Sequence, residues 1–343
     1  MSNSRNIKVN RVLVVGLGQL GLPVAKYILD KGFDVYGYDI NNETMIQAKK
    51  KFAIKTTTNF KNFDVYIICI STHNPHDSYT PYVDGLFSVI NKISIEAKNG
   101  SLVSIESTIP KGTSKKVFQL LEHRLHVVHA PHRWYSQDEQ NYGVNQLRVI
   151  GGVNPCCLEL GLKFYNGNDE SKPSRNPNDN DILLHYNNPY NNNIFVGNKQ
   201  LNLIDDSSHL QDNQIVAKNN KCLEIPMHAV TSIEIAELTK IIENSHRYLQ
   251  IAFAEELYLY CQANDILFSD LRDALNTKWN VDILEPRDGI GGHCLPKDTK
   301  MFLNSSRMKS KILQSAIEVD SVYRDFRSRK EKRLIPSIEN LKN

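Results

Sequence analysis

Cys294 stands in the segment Gly289-Ile290-Gly291-Gly292-His293-Cys294-Leu295-Pro296-Lys297-Asp298, with glycines before the thiol and charged residues after it. Glycines permit an irregular backbone that approaches a ligand closely. Pro296 suits the start of a helix. That puts Cys294 at a helix N-terminus beside His293 and Lys297, surroundings that favour the thiolate. Asp298, one helical turn on, shares the thiol's face. A thiol so placed is a candidate covalent nucleophile. An isolated cysteine is more commonly a small packed hydrophobe, and the cysteines at 69, 156, 157, 222 and 261 are assigned to that role.

Lys240 and Asn244 also lie one turn apart on a single helical face. Taken alone they make a solvated face; beside Cys294 they are candidates to stabilise an oxyanion by charge and hydrogen bond. Near the N-terminus, Gly16-Leu17-Gly18-Gln19-Leu20-Gly21 follows an apolar strand and opens a helix. In that context Gly16 allows the tight turn, Gly18 lets backbone approach a pyrophosphate, and Gly21 lets helix and strand pack closely. The helix N-terminus offers free N–H groups to phosphate. Asp39 ends the second strand, where an acid accepts hydrogen bonds from the adenine ribose and repels a 2′-phosphate. The pattern therefore predicts NAD rather than NADP.

These residues need a scaffold. Residues 12–16, 34–39, 64–70, 101–106 and 126–130 are strand-like runs, several apolar nearly throughout, as suits strands buried on both faces of a parallel sheet. Helical stretches between them imply an α/β fold, an N-terminal doubly wound Rossmann sheet over 1–152. From Asn166 to Asn220, 15 of 55 residues are Asn, too polar to build a core, so 166–220 is expected to be a loop insert. From Ser232 to Asn264 apolar residues recur at helical spacing, with Thr231 or Ser232 as cap. Further helices are expected at 269–278 and 308–328. The second half thus reads as a mainly helical domain over 222–328 with a polar tail at 329–343.

The 343 residues suffice for two domains, and the net charge of +3 argues neither for nor against nucleic acid. No apolar run approaches the roughly 18 residues of a membrane span. The N-terminal MSNSRNIKVNR lacks a signal peptide's apolar core. A cytoplasmic location, with no nucleic-acid or membrane partner, is the expectation. The six cysteines show no CxxC spacing; reduced thiols are expected, with no disulfide framework, no zinc site and no other metal.

The sequence resembles the UDP-glucose/GDP-mannose dehydrogenase family. The resemblance rests on the dinucleotide motif, on Glu106-Ser107-Thr108-Ile109-Pro110-Lys111-Gly112-Thr113, on Ala236-Glu237-Leu238-Thr239-Lys240-Ile241-Ile242-Glu243-Asn244 and on the cysteine segment. Pro131…Arg133 and Arg148-Val149-Ile150-Gly151-Gly152 are closest in style to the branch acting on UDP-N-acetylhexosamines, UDP-N-acetylmannosamine among them. The resemblance implies NAD-dependent oxidation of a nucleotide-sugar C6 alcohol to the uronic acid, as in polysaccharide biosynthesis. Two hydride transfers would pass through a thiohemiacetal and a thioester on Cys294. It further implies that Thr108 and Asp298 order water, with Asp298 a candidate general base. Gln19, Leu20, Thr72 and Glu106 would join the cofactor contacts, and Arg133, Lys240, Asn244, Gly291 and Gly292 would meet substrate. A homodimer through the helical domain is the implied assembly.

Three departures stand out. His132 occupies a position where family members carry a catalytic Glu; a histidine can serve as base near neutral pH. Family members continue into a third, nucleotide-gripping domain, which this chain is expected to lack. The Asn-rich insert is foreign to the family. Two other readings compete. A β-hydroxyacid dehydrogenase uses a similar Lys and Asn but needs no cysteine. A non-catalytic NAD-binding partner of a longer homologue fits His132 but not the retained Thr108, Lys240, Asn244, Cys294 and Asp298.

Overall fold

The computed structural model describes residues 10–74, 77–135, 138–167, 221–292, 294–306 and 309–339. Nearly all of the Asn-rich stretch, and His293, lie outside them. The chain divides into two compact units. The first comprises Met1–Ser71, Val83–Thr108 and Gly112–Glu237, the second Thr72–Tyr82, Ile109–Lys111 and Leu238–Asn343.

The first unit is built on one sheet. Strands β1 (Arg11–Val15), β2 (Asp34–Tyr38), β3 (Lys55–Thr56), β4 (Val65–Ile68), β7 (Leu102–Ile105) and β8 (His126–His129) pair in parallel, in the order β8-β7-β4-β1-β2-β3. β4, β7 and β8 are buried at every position, which explains their near-continuous apolar character. Helices α1 (Gly21–Asp30), α2 (Asn42–Phe52), α3 (Asp84–Glu96) and α4 (Thr113–Leu120) connect them. This is the doubly wound sheet the sequence predicts.

The sheet also extends past β8. Short α5 (Glu139–Tyr142) precedes β9 (Arg148–Gly152), which pairs antiparallel to β8, and α6 (Pro155–Tyr165) then leads toward β10 (Met227–Ala229), parallel to β9. No full crossover helix separates β8 from β9, and an antiparallel return needs none. β10 lies beyond the Asn-rich stretch, in the region read as helical, yet it completes the first unit's sheet.

The second unit holds the hairpin β5 (His73–Asn74) and β6 (Asp77–Pro81), most of α7 (Ile233–Ala263), α8 (Phe268–Asn276), α9 (Cys294–Ser305) and α10 (Lys311–Glu339). α10 runs through much of the stretch read as a polar tail; no glycine or proline interrupts it before Pro336, so helix propagation costs little. Tyr248 and Ala252 of α7, Ala316 of α10 and Ile290 form a buried cluster, with Leu249, Leu295 and Ile317 against it.

α7 also buries a carboxylate. Glu255 is fully buried, and among the described residues neither carboxylate oxygen has a hydrogen-bond partner. Burial pushes its pKa from 4.5 up to about 8, the Asp320 charge adding to the shift and Arg324 opposing it. The folded state therefore holds this proton more tightly than the unfolded chain does. Stability from this group is complete below pH 4.5 and is lost as pH rises toward 8. Glu255→Gln is expected to flatten that decline in denaturation midpoints measured across the window, and an unchanged slope would contradict the assignment.

Candidate active site

The loop after β1 turns back with Gly16 at φ +90°, where a Cβ would stand 2.6 Å from the Cys69 carbonyl oxygen. A Cβ on Gly21 would stand 1.7 Å from the Gly16 carbonyl oxygen, so both glycines are required by packing. Gly18 is different: nothing lies within 4 Å of its Cβ position, which leaves room for a ligand against the backbone. α1 begins at Gly21, after Gln19 and Leu20, with no side-chain cap; in its first turn Leu22 N and Val24 N donate to the Gly18 and Leu20 carbonyls, and Pro23 carries no N–H. Asp39 accepts from Leu17 N at 2.8 Å and Asn41 N at 2.9 Å. The acid is thereby locked to the glycine loop whose ligand it is expected to help bind. The residues present fit a dinucleotide.

Two motifs carried by the resemblance meet inside the first unit. Gly112 adopts φ +85° as N-cap of α4. Its N–H donates to Glu237 Oε2 at 2.5 Å, and Ser114 N donates to Oε1 at 2.8 Å. Glu237 is fully buried and supplies to α4 the cap that glycine cannot. Thr108 is half-buried ahead of this turn. The sequence reading places Glu237 in a motif without giving it a task; an acid that reaches across more than a hundred residues leaves no local signature.

Glu106, expected among the cofactor contacts, turns into the sheet. It accepts from Tyr165 Oη at 2.6 Å, lies 3.1 Å from Arg148 Nη1 and 3.4 Å from His132 Nε2, and receives the Cys69 thiol at 3.9 Å. Arg148 is fully buried and also donates to the Val144 carbonyl at 2.7 Å. Both His132 nitrogens face partners: Nδ1 accepts from Trp134 N at 3.3 Å while Nε2 faces Glu106. These contacts hold the ring in place and give His132 a positioning geometry. Arg133 sits beside it, half-buried, donating to the Leu147 carbonyl at 3.1 Å.

The second unit gathers most of the remaining candidates. Cys294 opens α9 and is exposed. One turn on, the buried Asp298 accepts from Asn244 Nδ2 of α7 at 2.5 Å and from Lys297 Nζ at 2.7 Å. Lys297 is itself buried and reaches toward Thr72 Oγ1 at 3.5 Å. Thr72, expected as a cofactor contact, thus belongs to the same unit as Cys294. Lys240 is half-buried, and among the described residues it has no ion-pair partner. The helix faces drawn from spacing bring Asn244 to Asp298; that Lys297 completes the cluster was not legible, since helix neighbours diverge.

The glycines before Cys294 fall into two kinds. Gly291 and Gly292 are exposed, with nothing within 4 Å of their Cβ positions. Gly289 has φ +98°, and a Cβ there would lie 2.6 Å from Arg324 Cγ. Around it α10 holds the segment on several sides. Asp320 Oδ1 accepts from Ile290 N at 2.8 Å, Arg324 donates to Asp320 and to the Ile290 carbonyl, and Tyr323 Oη donates to the Arg287 carbonyl at 2.6 Å. Arg327 pairs with Asp288 at 2.7 Å. By sequence Arg324 and Arg327 belong to a basic run that reads as solvated; in the fold they grip the approach to Cys294.

A doubly wound sheet with an open glycine turn, joined to a helical unit that presents a thiol, defines an NAD-binding dehydrogenase. The family model described as UDP-glucose/GDP-mannose dehydrogenase, NAD binding domain, matches residues 45–168, and that family's central-domain model matches 234–321. The UDP-N-acetyl-D-mannosamine dehydrogenase of Campylobacter jejuni is 27% identical, over 96% of this chain and 76% of that protein. The one from Methanococcus maripaludis strain C7 is 24% identical, over 93% of this chain and 67% of that protein. The solved structure of the UDP-D-ManNAc dehydrogenase from Pyrococcus horikoshii superposes with a TM-score of 0.71 at 24% identity, covering 96% of this chain and 72% of that one. This chain belongs to the UDP-glucose/GDP-mannose dehydrogenase family, the NAD-binding oxidoreductases of nucleotide sugars. NAD is its cofactor. Among the described residues no helix is long and apolar enough to cross a membrane.

Two stability predictions follow from the packing. Arg148→Met strands the buried Glu106 and is expected to cost about 3–5 kcal/mol in chemical denaturation; a loss below 1 kcal/mol would show that the pair is not a structural keystone. Gly289→Ala is expected to cost about 1–3 kcal/mol through its positive φ and the Arg324 clash, whereas Gly291→Ala is expected to stay within about 0.5 kcal/mol of wild type. Equal effects would refute the α10 clamp.

Proposed function

We propose that this chain oxidises the C6 alcohol of a UDP-N-acetylhexosamine, UDP-N-acetylmannosamine first among candidates, to the uronic acid, with Cys294 as covalent nucleophile. One observation carries the proposal. Asp298, one turn beyond the exposed Cys294 on α9, is hydrogen-bonded to Asn244, which lies one turn beyond Lys240 on α7. Thiol, amide, ammonium and carboxylate therefore belong to a single unit. Relatives named for UDP-N-acetyl-D-mannosamine support the choice of sugar.

NAD, when bound, would supply the hydride acceptor for each of two oxidations at the sugar carbon. After the first, the Cys294 thiolate adds to the aldehyde carbon and the resulting oxyanion takes a proton, giving a thiohemiacetal. Lys240 and Asn244 stabilise that oxyanion by charge and hydrogen bond. Loss of the second hydride leaves a thioester on Cys294. Water, ordered by Thr108 and Asp298, attacks the thioester and expels the thiolate, releasing the acid. The sum consumes one water and two NAD per sugar. Gly291 and Gly292, bare of neighbours, let substrate lie against backbone, and Arg133 contributes a cation to its recognition. Gly16, Gly18, Gln19, Leu20 and Gly21 cradle the pyrophosphate, Asp39 binds the ribose, and Glu106 acts through the buried network behind them. His132 acts as a positioning residue. The active species is a homodimer through the helical unit.

A second reading, NAD binding without turnover, draws on the geometry of His132, whose ring nitrogens both face partners. The two readings part in one assay, in which purified protein receives NAD and a panel of UDP- and GDP-sugars and NADH is counted per sugar consumed. Two NADH with UDP-N-acetylmannosamine, and loss of acid formation by about a thousandfold or more in Cys294→Ser with NAD affinity retained, are expected. NAD binding without any NADH would establish the second reading.

A further inference from the structure

At the opposite end of the first unit's parallel strands from the dinucleotide turn, a second cluster forms. β8 runs parallel to the strands that connect it, through β7 and β4, to β1. Gly16 follows the C-terminal end of β1, so His126, the first residue of β8, stands at the N-terminal end of the strands. β9 runs antiparallel to β8 and delivers the chain to that same end, where α6 begins with Pro155 followed by Cys156 and Cys157. One ligand atom from each of His126, Cys156 and Cys157 lies within 4.8 Å of the others.

His126 is 7% exposed, its Nδ1 is buried, and among the described residues that nitrogen has no hydrogen-bond partner. A buried polar atom without a partner carries a desolvation penalty that an external ligand relieves. Cys157 is fully buried, whereas Cys156 is only partly covered and leaves an entry path. The N-cap of α6, Asn154, makes no side-chain hydrogen bond. The helix end therefore presents its positive pole at the turn that carries the thiols. Two sulfurs and one imidazole nitrogen are a soft to borderline donor set, suited to zinc-class ions and not to calcium or magnesium.

We propose that His126, Cys156 and Cys157 form a three-ligand site for a thiophilic divalent cation of the zinc class, separate from the dehydrogenase chemistry. Binding takes up one cation and releases the two thiol protons, so apparent affinity rises with pH. The fourth coordination position, on the Cys156 side, is filled by water. A bound ion ties the start of β8 to the start of α6 and raises the stability of the first unit. The third ligand comes from a distant strand, so cysteine spacing alone does not point to it.

The test uses the full chain, reduced and treated with chelator, titrated with Zn²⁺ alone in a calorimeter and with Cd²⁺ while thiolate charge-transfer absorbance is followed. One equivalent per chain and a rise in Tm with zinc are expected. Cys156→Ser and His126→Asn should each weaken that equivalent by more than about a hundredfold, beyond the cost of losing an outer-shell partner, and abolish the rise in Tm. Cys156 is partly covered, so Cys156→Ser should leave the metal-free Tm near wild type and keep the test readable if the His126 variant misfolds. Cys294→Ser should retain the equivalent. No binding, or an equivalent lost in Cys294→Ser and kept in Cys156→Ser, would overturn the proposal.

Discussion

A charge removed from water must meet its partner, and in the first unit that requirement falls on Glu106 and Arg148. Both are essentially inaccessible, and they stand 3.1 Å apart. Glu106 follows β7 and Arg148 begins β9, so their pairing ties the parallel body of the sheet to its antiparallel extension. Tyr165 of α6 and His132 close the remaining sides of the carboxylate. A buried ion pair contributes little net stability, yet losing one member is severe. The network therefore acts chiefly to specify where the segment after β8 lies. That segment carries His132 and Arg133. A histidine fits this environment, since a carboxylate in its place would stand against Glu106.

The second unit solves a similar problem around its thiol. Cys294 is exposed, but its surroundings are held from below. Asp298 is pinned by Asn244 and Lys297, and the backbone at Ile290 is held at both its N–H and its carbonyl by Asp320 and Arg324. An exposed thiol on a firmly supported turn is fixed in place, and reactive groups work only when held within fractions of an ångström of productive geometry. The unpaired Glu255 beneath this support marks where pH reaches the unit's stability.

Much of this was legible in the chain. Gly16 and Gly21 announce their turn because a glycine requirement is local, set by the positive φ of Gly16 and by the space a Cβ would need at both. The parallel strands announce themselves because burial on both faces demands unbroken apolar runs. Lys240 with Asn244, and Cys294 with Asp298, share faces because helical periodicity is local too. The antiparallel turn of the sheet at β9, the strand β10 past the Asn-rich stretch, and the course of α10 through the expected tail were not legible. Each depends on which distant edge is free to accept hydrogen bonds, or on how far a helix propagates once nucleated.

Partnership was hidden for the same reason. Nothing near Glu237 in sequence says that it caps α4, nothing near Arg324 says that it grips Ile290, and adjacent cysteines do not disclose an imidazole from another strand. The sequence by itself determined the residue types able to bind a dinucleotide and the thiol set behind a glycine-rich turn, since side-chain chemistry and short-range periodicity are written residue by residue. Tertiary structure alone decided which buried charges meet and which nitrogen is left without a partner, because those outcomes are set by packing between segments far apart in the chain.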